Sequence, residues 1–405
     1  MIHDNSSSLP SVETRLPLEG IRVIEIGQLL AGPFCGQLLG DFGAEVIKIE
    51  QPVIGDPMRE WGREKSDGES LWWPTIARNK KSVTLDLRKD AGQKTFIELA
   101  KQSDIIVENF RPKTIDNWGI GYADVSKVNS RIIMVHVSGY GQTGPYSSRA
   151  GYGSIGEAMG GLRHIVGDPS SPPSRMGISI GDSMAGICAA FGCLVAVREL
   201  SLSGRGQEID AAIYESVLAF TESLVTEYQL TGFIRERTGP IIPNVAPSNI
   251  YPTLDNTMVL IAANQDTVFV RLADAMDEPD LKSDERFSSH TARGNNQELL
   301  DTIIATWTST LKSDHLVEVL EEHGVPTGKI YRAPEMLEDP HFEARESIAE
   351  LPSDKFGSIK MPNVVPKLSR TPGQIRWTGP TLGEHNDEIF RSLLGMSSTE
   401  IDATQ

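Results

Sequence analysis

An α/β protein, with a parallel sheet covered by helices and a smaller α+β domain, is what the sequence predicts. Three observations carry this. Short β-rich runs alternate with helical stretches from residue 21 to residue 137; a proline- and glycine-rich stretch at residues 231–252 breaks the alternation; beyond it, one strand and several amphipathic helices follow. The 405 residues leave room for about two or three domains of ordinary size.

The first unit opens with residues 21–26 (IRVIEI), breaks at Gly32-Pro33, continues as a helix to Phe42 and ends in residues 45–50 (EVIKIE). Proline suits a first helical turn and the flanking runs are β-branched, so this is a β-α-β unit. The pattern repeats with a strand at 82–87, a helix at 91–101, a strand at 104–108, a short helix near 114–118 and a strand at 131–137. Alternation of this kind implies parallel strands buried on both faces. Residues 183–202 read as one long helix whose Ala and Gly content permits close packing, followed by a strand at 208–213 and a helix at 215–229. Past the junction, 258–262 (MVLIA) is a strand, and 265–276, 296–311 and 314–323 are helices of the smaller domain. Residues 361–376 are proline-rich and irregular.

With 38 Lys+Arg against 55 Asp+Glu the chain carries a formal charge of −17, which argues against nucleic-acid binding. An anionic ligand must be met by a local basic pocket rather than by the overall field. The leader MIHDNSSSLPSVETR has no apolar core, and the longest nearly apolar stretch, 186–197, is too short to cross a bilayer, so neither export nor a membrane partner is expected. Cys35, Cys188 and Cys193 have no metal-ligand spacing and apolar neighbours, the pattern of reduced thiols in a cytoplasmic protein.

Gly139-Tyr-Gly-Gln-Thr-Gly144 follows a strand, the place of a dinucleotide fingerprint. The fingerprint also needs a helix opening at once and an acidic residue about 20 positions on. Here Pro145-Tyr-Ser-Ser-Arg-Ala-Gly follows instead, so a plain glycine-bearing loop is favoured and an NAD-dependent dehydrogenase is the lesser alternative. His136 in its apolar strand reads as a hydrogen-bonded core histidine. No metal, P-loop or serine-hydrolase motif is present. Asp182, where the long helix begins, is open to two readings: a helix N-cap, or a carboxylate nucleophile with Gly181 and Gly186 leaving room for an acyl group.

The ordered motifs PLEGIRVIEIGQLLAGPFCGQLLGDFGAEVIKIE, RNKKSVTLDL, VENFRP, SGYGQTGP, GDSMAG, GRGQEIDAAIYES, IAANQDTVF, DERF and GVPTGKI resemble those of the family III coenzyme A transferases, from about Leu16 to Phe390. The resemblance implies that Asp182 is the nucleophile that takes an acyl group and then CoA, with no cofactor beyond the CoA of the substrate. It implies that Gln28, Leu29, Ala31, Gln51, Arg78, Lys80, Leu85, Arg88, Asn109 and Phe110 bind CoA, and that Tyr152 and Leu30 border the acyl site. Leu30 stands where formyl-CoA:oxalate members carry glutamine, and Gln51 where they carry arginine, which argues against oxalate. Tyr152 stands where the related 2-methylacyl-CoA racemases carry a catalytic histidine, so a racemase is the lesser reading. The tail from Lys360 to Phe390 looks most like members that use succinyl-CoA with dicarboxylic acids. The family fold implies an interlocked homodimer of a Rossmann-like large domain (16–230), a linker and small α+β domain (231–330), and a C-terminal segment (331–405) returning to the large domain.

Overall fold

The structure, a computed structural model, describes residues 15–66 and 68–405; the polar leader at 1–14 lies outside the described residues. Six strands form one sheet: β1 (Arg22–Glu25), β2 (Glu45–Glu50), β3 (Lys80–Thr84), β4 (Ile105–Glu108), β5 (Ile133–Ser138) and β6 (Glu208–Ala212), in the spatial order β3-β2-β1-β4-β5-β6. Every neighbouring pair is parallel. The order reverses between β1 and β4, and in such sheets the crevice beyond the carboxyl ends of those two strands is where ligands bind.

Successive strand residues face opposite sides and so feed two cores. On one side Val23, Val46, Ile105, Val107, Val135 and Val137 pack against α1 (Ala31–Asp41) and α5 (Ile180–Ser203). On the other, Ile24, Ile47, Ile49, Ile106 and Met134 meet Phe96 and Leu99 of α2 (Asp90–Ala100), with α3 (Tyr122–Val128) and the late residues Ile389 and Phe390. The helices α4 (Gly153–Met159) and α6 (Ile213–Leu218) flank α5. The α1 glycines recur every four residues on its inner face. A side chain at Gly36 would meet Glu25, and one at Gly40 would meet Asn79 and Val46. That spacing is one helical turn, so the stripe lets a helix of modest propensity lie close on the sheet.

Helix α5 carries the apolar segment read at 186–197 within a longer helix of 24 residues. By length and composition alone it could cross a membrane, a test that the core helix of a soluble protein passes as well. Ala185, Ala189, Cys193 and Ala196 face the sheet, whereas Phe191 and Val195 point outward.

The open edge of β3 is covered by the chain's last residues. Asn79 N–H donates to the Trp377 carbonyl and His385 N–H to that of Ser82, Thr84 N–H donates to Asn386 Oδ1 at 2.9 Å, and Gln405 Nε2 to the Thr84 carbonyl at 2.8 Å. A parallel sheet left with an unpaired edge invites association, and this strap satisfies it. Met361 and Pro362 close the second strand of a hairpin, Ile348–Ser353 paired with Gly357–Pro362, so the irregular stretch begins two residues later than expected at its amino end.

By contacts the chain divides into two units. The first holds the described residues through Leu162, Gly177–Glu222 and Ala344–Gln405; the second holds Arg163–Met176 and Ser223–Glu343. The boundaries thus fall at 223 and 344 rather than 231 and 331. Helix α7 (Leu224–Thr231) belongs to the second unit because Arg235 grips Glu227 at 2.7 Å and Ser223 at 3.0 Å. The 163–176 segment joins it through Gly239 N–H to the Gly167 carbonyl and Arg237 to the His164 carbonyl. This unit has an antiparallel sheet of β7 (Ser248–Pro252), β8 (Met258–Ala262) and β9 (Thr327–Lys329), with β8 central. Against it pack α8 (Asp266–Ala275), α9 (Gln297–Thr308) and α10 (Ser313–Glu322), through Phe269, Leu272, Leu300, Ile304, Leu316 and Leu320.

Candidate active site

Asp182 is the third residue of α5, and the cap position is occupied by Ser179. The helix-cap reading is therefore corrected: Asp182 lies within the first turn, where a carboxylate is stabilised by the helix N-terminal field. Its carboxylate abuts Gly153, where a Cβ would stand 2.3 Å from Asp182 Oδ2. Glycine there leaves the carboxylate its place. Glu157, buried on α4, accepts from Gly181 N–H at 3.4 Å and ties the two helix starts together. One turn beyond Asp182, a Cβ on Gly186 would come within 3.0 Å of the Ala31 carbonyl and of Phe34. Residues four apart share a helix face, so Asp182 stands about one turn from the start of α1.

That start lies at the crevice. Asn109, just past β4, accepts from Gln28 N–H at 2.7 Å and donates to the Gln28 carbonyl at 2.8 Å, stitching β1 to β4 across the reversal point. Leu30 occupies the α1 cap with no side-chain hydrogen bond. Apolar at the cap, it leaves the first helical amides as donors toward an anion or carbonyl oxygen. Leu30 packs on Met58, Trp73 and Ala77. Tyr152 caps α4 at 71% exposure beside Asp182's neighbour Gly153, and Phe110 stacks edge-on to Trp118 with centroids 5.3 Å apart. Gln51 follows β2 and is half-buried.

Other residues named from the sequence lie elsewhere. Arg78 is bidentate to Asp41, with Nε–Oδ1 at 3.0 Å and Nη2–Oδ2 at 2.6 Å, at the C-terminal end of α1 and so at the opposite edge of the sheet from the crevice. Lys80 is buried beneath α1, 2.8 Å from Glu25 and 2.7 Å from the Pro33 carbonyl. Burial pulls the Lys80 pKa down, against the raising effect of Glu25. Both cations are engaged by protein groups rather than offered to phosphates. Leu85 is sealed in the opposite core, and Arg88 is an exposed residue paired with Asp86 at 2.8 Å.

A buried ionic network beneath the crevice went unread in the sequence. Glu25 of β1 pairs in register with Lys48 of β2; Lys48 Nζ is 3.2 Å from Glu25 and 2.7 Å from Asp56, and it also donates to the Gly27 carbonyl. Burial opposes both charges, yet Lys48 holds the Asp56 carboxyl below its usual range, and Asp56, Glu25 and Glu50 hold the Lys48 ammonium above its own. Glu50 accepts from Arg59 at 2.8 Å and from Ser82 at 2.6 Å. The available signal was three charged residues at core-facing positions of two apolar strands.

The loop from Gly139 to Gly144 opens no helix; the next begins at Gly153. Gly139 serves close packing, since a Cβ there would come within 2.8 Å of Gly151 Cα, while Gly141 and Gly144 take left-handed backbone at φ of 87° and 83°. Gln142 N–H donates to Asp210 at 2.7 Å and pins the loop. His136 is a hydrogen-bonded core residue, 2.6 Å from Glu108 and 3.3 Å from Glu208. Among the described residues no group of three or more His, Cys, Asp or Glu could hold a metal ion.

A sequence model of CoA-transferase family III matches residues 18–386. A succinyl-CoA–D-citramalate CoA-transferase of Chloroflexus aurantiacus is 57% identical over 389 residues, 96% of this chain and 97% of that one. The β subunit of a succinyl-CoA–L-malate CoA-transferase from the same organism is 40% identical, over 96% and 97% of the two chains. Among solved structures, a CaiB/BaiF family protein from Brucella suis superposes with a TM-score of 0.83 at 30% identity, covering 94% of this chain and 100% of that one.

Proposed function

The chain belongs to CoA-transferase family III and is a CoA-transferase, and from that premise we propose that it exchanges CoA between succinyl-CoA and a small hydroxy-dicarboxylic acid of the citramalate type, with Asp182 as nucleophile. The observation that carries the reading is the position of Asp182, in the first turn of α5, against Gly153 and one turn from the opening of α1. The acceptor class rests on the 57% identical relative.

In the proposed cycle an Asp182 carboxylate oxygen attacks the thioester carbonyl and the carbon–sulfur bond breaks, leaving a mixed anhydride and CoA thiolate. The thiolate attacks the aspartyl carbonyl and succinate leaves, so Asp182 now carries CoA as a thioester. The acceptor carboxylate attacks that thioester, forming a second anhydride and freeing the thiolate again. Thiolate then attacks the acceptor's acyl carbon, the product thioester departs and Asp182 is restored. Each anhydride formed uphill is consumed by the thiolate in the next step, so over the cycle one thioester replaces another near equilibrium and no net proton moves. The α1 amides left open by Leu30 suit the developing oxyanion, and the switch-point crevice at Gln28 and Asn109 suits the CoA chain.

The reading includes the interlocked homodimer. Ile187, Phe191, Leu194, Val195 and Leu202 on α5 are all exposed in the single chain, an apolar face that a second copy would cover. A cytoplasmic setting accords with free Cys35, Cys188 and Cys193. The test is an exchange assay of purified protein with succinyl-CoA against D-citramalate, L-malate, glutarate and oxalate. Citramalyl-CoA formed fastest is expected; no thioester from any of the four acids would overturn the proposal.

A further inference from the structure

The buried ions under the crevice cost more than a core needs to spend. Glu25, Lys48 and Asp56 are each no more than 2% exposed, and apolar side chains of like volume would stabilise such a position as well or better. Their contacts converge on one turn. Lys48 Nζ holds the Gly27 carbonyl, Asp56 Oδ1 accepts from Leu29 N–H at 3.0 Å and from Met58 N–H at 2.8 Å, and Asp56 is itself fixed by its N–H to Glu50 Oε2 at 2.9 Å. Asn109 grips Gln28 from the other side.

Leu29, at the centre of this turn, has φ of 63°, the left-handed region that a leucine adopts only when its surroundings compel it. The turn leads directly into Leu30 and the first amides of α1. A relaxed Leu29 would rotate those amides away from their present direction.

We propose that Lys48 and Asp56 are positioning residues for the transferase reaction: they clamp the Gly27–Leu29 turn in its left-handed form and so aim the opening of α1 at the bound acyl-CoA. The inference rests on the proposed function and adds to it two residues that touch no substrate. It also explains why the loop after Glu50 carries Gly55-Asp56. Gly55, at φ of 73°, bends the chain so that Asp56 returns under β1.

The experiment is a double-mutant cycle of Asp56→Asn and Leu29→Gly, because glycine takes the left-handed form without a clamp. Succinyl-CoA exchange is measured for the four proteins at a temperature where melting curves show them folded. Asp56→Asn should lower kcat/KM by about 10- to 100-fold, the scale of a small misplacement near a reaction centre. In the double variant the loss should be at least about threefold smaller than the product of the two single losses. Losses that multiply, or a folded Asp56→Asn enzyme with wild-type kcat/KM, would overturn the clamp. An Asp56→Asn chain that folds only when Leu29→Gly accompanies it supports the proposal. One that stays unfolded with both changes overturns it, since the pair then serves the core and not the turn. The same cycle read as CoA affinity by titration calorimetry needs no turnover, so a failed transferase reading stays distinct from a failed clamp.

Discussion

The two faces of the parallel sheet are built from different materials. The face under α2 and the C-terminal residues is filled with Ile24, Ile47, Ile106, Phe96, Leu99, Ile389 and Phe390. The face under α1 and α5 uses Ala31, Cys35, Ala185, Ala189, Cys193 and Ala196, with glycines at the helix contacts and ion pairs among the strand residues beneath α1. Large side chains give stability through buried area. Small ones give proximity: they let α5 approach α1 until Asp182 and the α1 amides stand about one turn apart. One face holds the molecule together and the other brings its chemistry together.

The strongest way to break this comparison is Asp182→Asn. Asparagine suits a helix terminus almost as well, so the melting temperature should hold while acyl exchange falls on the order of a thousandfold or more. Retained turnover, or an acyl adduct mapped by mass spectrometry to another carboxylate, would remove the nucleophile from this face. On the opposite face the pattern should invert. Phe390 is fully buried, and Phe390→Ala should cost about 3 kcal/mol or more in denaturant unfolding while the folded enzyme keeps its kcat.

Gly153→Ala sharpens the contrast within the functional face. Its backbone is not left-handed and it opens α4, so alanine is tolerated by the chain, but the new methyl meets the Asp182 carboxylate. Exchange should fall by about 10- to 100-fold with little change in melting temperature. A wild-type rate would show that Asp182 can give way without cost.

The smallest effect belongs to His136. Burial disfavours its charge, but the bond to Glu108 and the charges of Glu108 and Glu208 win and raise its pKa above the ordinary 6.5. Burial also raises Glu108. Both shifts mean that the folded state holds protons more tightly than the unfolded one, so the Glu108 contribution is lost lower, as pH rises from about 4.5, while the His136 contribution is full below about pH 6.5 and declines as pH rises through its folded value. His136→Gln should flatten the stability profile in that window, and an unchanged slope would assign it to other groups.

Most strands and helices of both units were legible because their signals are local: a run of β-branched residues, a proline at a first turn, a glycine after a last one. The long helix was legible too, but its start was misplaced by three residues. Ile180 and Gly181 themselves carry no helix-start signal; the signal is Ser179 at the cap, three residues before Asp182, and Gly181 N–H donates to Glu157. Among the residues named from the sequence, Gln28, Leu30, Ala31 and Asn109 gather at the start of α1, with Asp182 about one helical turn away. Arg78 and Lys80 do not, because a cation in a motif looks the same whether it faces a phosphate or a buried carboxylate. Asp41 and Glu25 are 37 and 55 positions away in the chain.

The sequence by itself determined the alternation of strands and helices, the glycine stripe of α1, the acidic balance and the motifs that place the chain in its family. Each of these is a matter of neighbours within a few residues, where propensity and periodicity act directly. Only the tertiary structure decided that Glu25, Lys48 and Asp56 converge beneath Leu29, that Gly153 makes room for Asp182, and that the last residues close the edge of β3. The reason is that burial and charge pairing are properties of positions brought together by the fold: the energy of a buried lysine depends on which carboxylates surround it, and those partners are set by the sheet order rather than by chain order.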